Sequence, residues 1–181
     1  MILRKSPHCI SAFSLVLALV LPPLARPALA ETKMSKQMEI QANQKEVDEI
    51  LAAFDKAETA LKAQDLDRLM ALYSKHYDYH GLTKSNLRDQ WKELFDKYRR
   101  LATHHTFSRI VVVVEDNVPK ARITCTGGIW ATAESTGERI IIDSWFEEVH
   151  RLVYEDGAWR ILGHNGETPQ AAQSGAPHPY F

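Results

Sequence analysis

The chain has 181 residues, of which 22 are Lys or Arg and 23 are Asp or Glu, so its formal net charge is −1. Removal of the first 30 residues, which carry three basic residues and no acidic ones, would leave a net charge of −4. Nucleic-acid-binding proteins and polybasic membrane-surface proteins need a basic face, so this balance argues against both classes. The remaining length of about 150 residues is enough for one domain with an ordinary apolar core.

Residues 1–30 have the pattern of a secretory signal peptide. Arg4 and Lys5 precede the apolar run ISAFSLVLALVL, and the small-residue sequence ALA ends at Ala30. This order predicts cleavage after Ala30 and a periplasmic or secreted mature protein. A membrane-spanning helix needs about 20 apolar residues, so the run is too short to cross a bilayer. A retained N-terminal anchor is the alternative interpretation.

Cysteine usage excludes an intramolecular disulfide in the mature protein. Cys9 lies in the predicted signal peptide, so only Cys125 remains after cleavage. Cys125 lies in the apolar run ARITCTGGIW, where a buried inert thiol is expected in preference to a reactive one.

The rest of the chain is predicted to hold one folded domain between two polar ends. Residues 31–44 are predicted to be a polar, frayed lead-in, and residues 45–167 to be the domain. Residues 168–181 are rich in Pro, Gly, Ala and Gln, which predicts a disordered tail.

Three helices are predicted first. Apolar residues recur at spacings of three, four and seven from Val47 to Leu61, which predicts a helix with one buried face. Asp65 can cap a short second helix, and Ser85 can cap a third one whose apolar stripe includes Trp91. The segment YDYHG between the second and third helices is predicted to be extended.

From His104 onward the apolar residues alternate with a period of two, which is typical of strands. Four strands are predicted, with the sequences TFSRIVVVV, KARITCTGGIWATA, RIIIDSWFEEVHRLVY and AWRILGHNG. Gly127-Gly128 interrupts the second strand, where a bulge or a sharp bend fits. Three helices followed by a four-stranded antiparallel sheet predict an α+β fold with the helices on one sheet face.

Asp156-Gly157 lies between two apolar runs and is a strong signal for a two-residue hairpin turn. Counting outward from this turn predicts the cross-strand pairs Tyr154 with Trp159, Leu152 with Ile161, His150 with Gly163, and Glu148 with Asn165. Opposed residues share a sheet face, so this face changes from aromatic near the turn to polar further along. His150 rather than His164 is then predicted to face the interior, and a one-residue shift in register would reverse that assignment.

The opposite face of this hairpin is too apolar for a fully solvated surface. Its predicted apolar residues are Ile141, Trp145, Val149, Val153 and Leu162, interrupted by Glu147, Arg151 and Arg160. Such a mixed patch suggests a sheet-to-sheet partner, and we expect a homodimer. Asp143 has the same parity and would turn inward only if a bulge lay between it and Glu148.

The segments LYSKHYDYHG and DGAWRIL, within this order of helices and strands, resemble the nuclear transport factor 2-like superfamily. The resemblance covers nearly all of residues 45–167 and is strongest to secreted SnoaL-like and ketosteroid-isomerase-like members. It implies a cone-shaped α+β barrel, commonly dimeric, with a pocket between the helices and the sheet. Some relatives are isomerases, cyclases or dehydratases that use general acid–base chemistry, and others only bind ligands or partners. The fold does not decide between these functions.

The predicted ligand pocket contains Tyr79, Trp91, Trp130, Glu148, His150 and Asn165. His150 is the candidate general acid or base, with Glu148 or Asn165 to orient it, because an imidazole with a pKa near 6.5 suits proton abstraction beside a carbonyl. A buried histidine satisfied by the backbone or by Glu148 is the alternative. Tyr79 can donate a hydrogen bond to a ligand oxygen. Core packing is the alternative for Tyr79 and for both tryptophans.

Neither a metal nor a cofactor is predicted. His76 and His80 have the spacing of a helical metal-binding pair, but the segment between them is extended and no third ligand is apparent. The sequence has no nucleophile motif, glycine-rich phosphate loop or dinucleotide fingerprint. Three functions remain open. We favour an exported domain that binds a small apolar or amphipathic molecule; the alternatives are an acid–base enzyme that uses His150 and a dimeric scaffold without a ligand.

Overall fold

The computed structural model describes residues 31–165 and Tyr180. Its elements are β1 (Glu31–Gln41), α1 (Gln44–Ala63), α2 (Leu66–Met70), β2 (Asp78–Tyr79), β3 (Leu82–Thr83), α3 (Lys84–Lys97), β4 (Tyr98–Glu115), β5 (Val118–Ala133), β6 (Arg139–Glu155) and β7 (Ala158–Asn165). The predicted signal peptide and, apart from Tyr180, the predicted tail lie outside the described residues. Among the described helices, none combines the length and the apolar character that a membrane crossing requires.

The fold is α+β, with a mostly antiparallel sheet and three helices, as predicted. The sheet has five strands in the order β1-β4-β5-β6-β7, rather than the four that were predicted. The additional strand is β1, which pairs in parallel with β4. The expectation of a frayed lead-in at residues 31–44 is therefore wrong. β1 is an edge strand with Met34 and Ile40 exposed, so it lacks the apolar stripe of a buried strand.

Capping side chains define where the helices begin. Asn43 and Glu46 form a capping box at the start of α1, in which each side chain accepts a hydrogen bond from the backbone of the other. Asp65 caps α2, as predicted. The cap of α3 is Thr83 rather than the predicted Ser85, since the Thr83 hydroxyl accepts the backbone N–H of Asn86.

The core lies between the helices and one face of the sheet, which we call the inner face. Its largest fully buried side chains are Trp91, Tyr73, Phe54, Phe107, Ile50, Leu61, Leu69, Leu87, Ile110, Ile123 and Ile129. Full burial of one large apolar side chain stabilises a fold by about 1.5–3 kcal/mol. The segment after α2 is joined to the sheet by two backbone hydrogen bonds of 2.8 Å, from Ser74 to Ile161 and from Ile161 to Leu72.

An extra residue in β6 changes which side chains face inward. Gly127 pairs with Trp145 and Cys125 pairs with Glu148, so β6 has two residues where β5 has one. Glu147 has a φ of 50°, which marks the bulge. Trp145 is therefore buried on the inner face, and its predicted outward position is wrong. The same bulge turns Asp143 inward, as was expected from the sequence if a bulge lay between Asp143 and Glu148.

A second extra residue, Leu162, lies in β7. The predicted hairpin pairs are confirmed from the turn as far as Leu152 with Ile161. Beyond that point His150 pairs with His164 rather than with Gly163, and Asn165 moves opposite Val149 rather than Glu148. His150 and His164 are both buried as a result, so the expectation that only one of them faces the interior is wrong.

Candidate functional site

Five buried ionisable side chains converge on the inner face, and we call them the inner polar cluster. They are Glu58 from α1, His105 from β4, Glu148 and His150 from β6, and His164 from β7. Each has at most 5% of its surface exposed. No Lys or Arg among the residues that the structure describes is buried. Basic side chains of this part of the chain therefore do not neutralise the carboxyl groups of the cluster from within the core.

Glu58 and His105 form one half of the cluster. The distance between Glu58 Oε1 and His105 Nδ1 is 2.8 Å. Burial raises the pKa of Glu58 to about 7, and the nearby Asp55 raises it further. Burial lowers the pKa of His105 to about 3. Both shifts favour the uncharged forms of the two side chains. The contact is therefore a hydrogen bond between a neutral imidazole and the carboxyl group, not a charged ion pair.

His150 and His164 form the other half. Their Nδ1 atoms are 2.7 Å apart, and the two rings are nearly perpendicular, with an interplanar angle of 82°. Burial lowers the pKa of His150 to about 3, and the nearby His105 lowers it further. His150 is therefore neutral at pH 7. A hydrogen bond between two ring nitrogens requires one of them to carry the proton and the other to accept it.

Glu148 is the third polar group beside these rings. Its Oε1 lies 3.7 Å from Nδ1 of His164. Burial raises the pKa of Glu148 to about 8, and the proximity of Asp143 raises it further. Glu148 is therefore largely protonated at neutral pH and is able to donate as well as accept a hydrogen bond. Neither of its carboxyl oxygens has a hydrogen-bond partner among the residues of the described chain.

Aromatic rings separate and surround the two halves of the cluster. Phe54 lies between them, with its ring centroid 5.3 Å from that of His105 and 6.1 Å from that of His150. Trp145 also faces both, at 5.5 Å from His105 and 6.4 Å from His150. The ring of Tyr79 lies 5.2 Å from His164. The arrangement is an apolar, aromatic interior that contains a few hydrogen-bonding groups.

The structure brings together only some of the predicted pocket residues. Glu148, His150 and Tyr79 lie in or beside the inner polar cluster. Trp91 is buried in the core, where its indole N–H donates to the Tyr73 hydroxyl at 3.2 Å. The ring of Tyr180 packs against Trp91 with a centroid distance of 4.6 Å.

Trp130 and Asn165 do not join the inner polar cluster. Trp130 alternates with the buried Ile129, so it lies on the outer face of β5. Its ring there contacts the exposed His104 at 5.1 Å and the guanidinium of Arg139 at 5.1 Å. Asn165 is exposed, because the bulge at Leu162 gives the inward position to His164 instead.

Sequence reasoning missed three members of the cluster, although two of them left a signal. Glu58 follows Phe54 by four residues and precedes Leu61 by three, so it interrupts the apolar stripe of α1. His105 has the same strand parity as Phe107. His164 had no comparable signal, since a single-residue bulge reverses its orientation.

His76 and His80, which have the spacing of a metal-binding pair, lie in the described part of the chain. No group of three or more His, Cys, Asp or Glu side chains there is arranged to hold a metal ion. His76 and His80 are both exposed.

A separate surface cleft of about 420 Å³ lies between α1, α2 and the β6–β7 turn. Its lining residues are Glu49, Ala52, Ala53, Lys56, Ala57, Arg68, Ala71, Leu72, Tyr154, Gly157, Ala158, Trp159 and Arg160. No residue of the inner polar cluster lines this cleft. The cleft is therefore a competing location for any ligand that binds the protein.

Comparison with known proteins identifies structures with a similar fold. No family model matches the chain, and no curated protein matches it. A conserved protein from Planctomyces limnophilus is 16% identical with a TM-score of 0.58, and the match covers 67% of this chain and 94% of that one. Aln2 from a Streptomyces species is 13% identical with a TM-score of 0.55, covering 75% of this chain and 99% of that one.

A third similar structure, of a putative aromatic ring hydroxylase from Novosphingobium aromaticivorans, is 12% identical with a TM-score of 0.53. That match covers 71% of this chain and 94% of the other. At these identities the similarity concerns the fold alone.

Proposed function

We propose that this chain is an exported protein that binds a small apolar or amphipathic molecule. The similarity of its fold to structures of the nuclear transport factor 2-like kind supports this proposal. The binding site is a conical pocket between the helices and the inner face of the sheet. The observation that carries this proposal is a set of buried polar atoms without partners among the described residues: both carboxyl oxygens of Glu148 and Nε2 of His150. Such an atom destabilises a fold by about 1–3 kcal/mol, so native proteins keep few of them.

The electrostatics of the inner polar cluster favour an uncharged ligand. Burial keeps His105 and His150 neutral at pH 7 because it lowers the pKa of each to about 3. Glu148 is largely protonated because its pKa is raised to about 8. An anionic ligand would place its negative charge next to carboxyl groups. Among the described residues, no buried Lys or Arg is present to neutralise that charge. A hydroxyl or carbonyl on an aromatic or aliphatic body matches both the polar atoms and the surrounding rings.

A ligand screen by thermal shift on residues 31–181 tests this proposal. The variants are Tyr79→Phe and Glu148→Gln in the pocket, and Ala53→Leu as the control that fills the surface cleft. Uncharged hits are expected to stabilise the wild type and Ala53→Leu alike, and to stabilise the two pocket variants less. Equal stabilisation of all four proteins, or a loss confined to Ala53→Leu, would place the ligand elsewhere and overturn the proposal.

An acid–base enzyme that uses His150 is the second candidate function. It is favoured by one contact, the 2.7 Å hydrogen bond between His150 Nδ1 and His164 Nδ1, which leaves His150 Nε2 for a ligand. A neutral buried imidazole is able to accept a proton from a bound molecule. A dimeric scaffold without a ligand remains the outcome if neither binding nor turnover is found.

The proposed assembly is a homodimer through the outer face of the sheet. This face presents Ile141 and Phe146, which are 76% and 70% exposed. Large exposed apolar side chains on a sheet are typical of an interaction surface. Sedimentation of residues 31–181 is expected to give a dimer that Phe146→Glu dissociates and that Val114→Glu, on the exposed β4–β5 hairpin, leaves intact. A monomeric wild type would remove this part of the proposal.

Export and cleavage after Ala30 are tested separately on the full chain. Expression in a Gram-negative host followed by cell fractionation is expected to yield a periplasmic protein that begins at Glu31. An unprocessed N-terminus in the membrane fraction would support the retained anchor instead.

A further inference from the structure

The contact between His150 and His164 joins two imidazoles in a dry environment. Their Nδ1 atoms are 2.7 Å apart, and both side chains are buried. The two residues occupy opposed positions in β6 and β7 only because Leu162 adds one residue to β7. The rings are therefore held together by the sheet itself, on two strands of the rigid scaffold.

This geometry couples the protonation of the two rings. A neutral imidazole carries one N–H, on either Nδ1 or Nε2. The hydrogen bond between the two Nδ1 atoms contains one proton, so one ring has a bare Nε2 and the other carries its proton on Nε2. If the donor ring gave up the shared proton alone, it would have no N–H left, and such an imidazolate is not stable near neutral pH. The shared proton therefore moves only when the Nε2 atom of the donor ring gains a proton, or when the Nε2 atom of the acceptor ring loses one.

We propose that His150 and His164 act as a proton-transfer pair for the molecule bound in the interior pocket. His150 is the catalytic residue, because its Nε2 has no partner among the residues that the structure describes. His164 acts through His150 as the acceptor of the relayed proton. This inference rests on the proposed function, since it requires a ligand beside His150.

The transfer balances without a further reactant. A C–H or O–H bond of the ligand breaks, its electron pair stays on the ligand, and the proton bonds to His150 Nε2. The Nδ1–H bond of His150 breaks, and that proton bonds to His164 Nδ1. His150 is neutral again in the opposite tautomer, His164 is an imidazolium, and the ligand carries one negative charge. The reverse transfer returns a proton to the same or to another atom of the ligand.

The groups that face the pair determine how well it holds the positive charge. Glu148 Oε1 is 3.7 Å from the Nδ1 atom that receives the proton, so ionisation of Glu148 stabilises the imidazolium. The rings of Tyr77 and Tyr79 face His164 at 6.0 Å and 5.2 Å. On the other side, His105 lowers the pKa of His150.

Nitrogen-15 NMR of the histidine rings in unliganded residues 31–181 tests the shared proton directly. The expected result is opposite tautomers for His150 and His164 and a single titration that both rings report. In His164→Asn, which keeps a polar group but cannot carry the proton, His150 is expected to titrate alone. His76→Asn, at an exposed histidine, is the control that leaves both signals unchanged. Two Nε2–H tautomers, or two independent titrations, would overturn the inference.

Hydrogen–deuterium exchange at the α-carbons of cyclohexanone in D2O tests the transfer. The wild type is expected to accelerate the exchange over buffer. His150→Gln and His164→Asn are expected to reduce that acceleration by about a hundredfold or more, within the range of general acid–base catalysis. Binding of cyclohexanone, seen by saturation-transfer NMR, without accelerated exchange would overturn the transfer pair and leave the binding function intact. Absence of both binding and exchange would count against both proposals.

Discussion

Glu58 Oε1 lies 2.8 Å from His105 Nδ1, although 47 residues separate the two in the chain. Neither side chain is exposed to solvent. The contact links α1 to β4, and the Thr32 hydroxyl of β1 donates to the same carboxyl oxygen at 3.4 Å. Because burial opposes charge on both partners, the stability of this link depends on pH.

The free energy of unfolding is predicted to fall as the pH rises from 6.5 to 8. Burial raises the pKa of Glu58 from 4.5 to about 7 and that of Glu148 from 4.5 to about 8, so the folded state holds protons that the unfolded state has lost. Each such group lowers the free energy of unfolding by about 1.4 kcal/mol per pH unit until the pH exceeds its folded-state pKa, so Glu58 contributes up to about pH 7 and Glu148 up to about pH 8.

At lower pH the histidines act in the opposite sense. Burial lowers the pKa of His105 and His150 from 6.5 to about 3, so stability is lost as the pH falls from 6.5 towards 3. Between about pH 4.5 and 6.5 the two effects oppose each other, which predicts a broad optimum there. Urea unfolding from pH 4 to 9 measures the profile. Glu148→Gln is expected to flatten it between pH 7 and 8, and a wild type as stable at pH 8 as at pH 6.5 would contradict the raised carboxyl pKa values.

Gly127→Ala is predicted to destabilise the fold by about 1–3 kcal/mol, through overpacking of the inner face. A Cβ at this position would lie 2.5 Å from the His104 carbonyl oxygen and 2.5 Å from the Trp145 ring. The backbone oxygen cannot move away without disturbing β4. Gly128→Ala is the matched control, since its nearest atom would be at 3.1 Å, and it is expected to lose less stability in urea unfolding. The reverse order would contradict the packing of Trp145.

Cys125 is predicted to be unreactive in the folded protein. Its thiol is fully buried, burial raises its pKa to about 12, and it accepts a hydrogen bond from the Trp145 indole N–H at 3.4 Å. Ellman's reagent added to residues 31–181 is therefore expected to react no faster than the protein unfolds, and rapidly in denaturant. Fast reaction under native conditions would show that the inner face is open to solvent at this point.

Removal of β1 is predicted to lower the melting temperature by about 5–10 °C, as expected for the loss of a few kcal/mol from a domain of this size. Deletion of residues 31–41 would remove the strand that covers the edge of β4 and the contact between Thr32 and Glu58. Met34→Ser, at an exposed position of the same strand, is the control and should have little effect. Thermal unfolding followed by circular dichroism compares the three proteins; equal melting temperatures would mean that β1 contributes nothing to the stability of the domain.

Sequence periodicity predicts the elements of this fold better than it predicts the faces of its strands. The Asp156-Gly157 turn determines the hairpin register correctly for the residues next to it, because the two-residue loop leaves no freedom there. Further from the turn, Leu162 and Glu147 each add a residue that no local pattern indicates. Alternation then assigns Trp145 and His164 to the wrong face.

The candidate site is only partly predictable for the same reason. His150, Glu148 and Tyr79 were identified because their own strands place them inside. Glu58 and His105 were not, because a site that assembles from α1 and β4 depends on tertiary pairing that one sequence does not contain. A charged residue within an apolar helical stripe, such as Glu58 after Phe54, is the signal to look for in such sequences.

The inward orientation of His164 depends on one inserted residue, Leu162, and that of Asp143 and Trp145 on another, Glu147. Loss of the codon for either residue would exchange the inward and outward side chains along part of a strand while leaving the helices unchanged. A gene of this kind can therefore lose polar groups from the interior of its protein by one codon deletion, or gain them by one codon insertion, without an accumulation of substitutions.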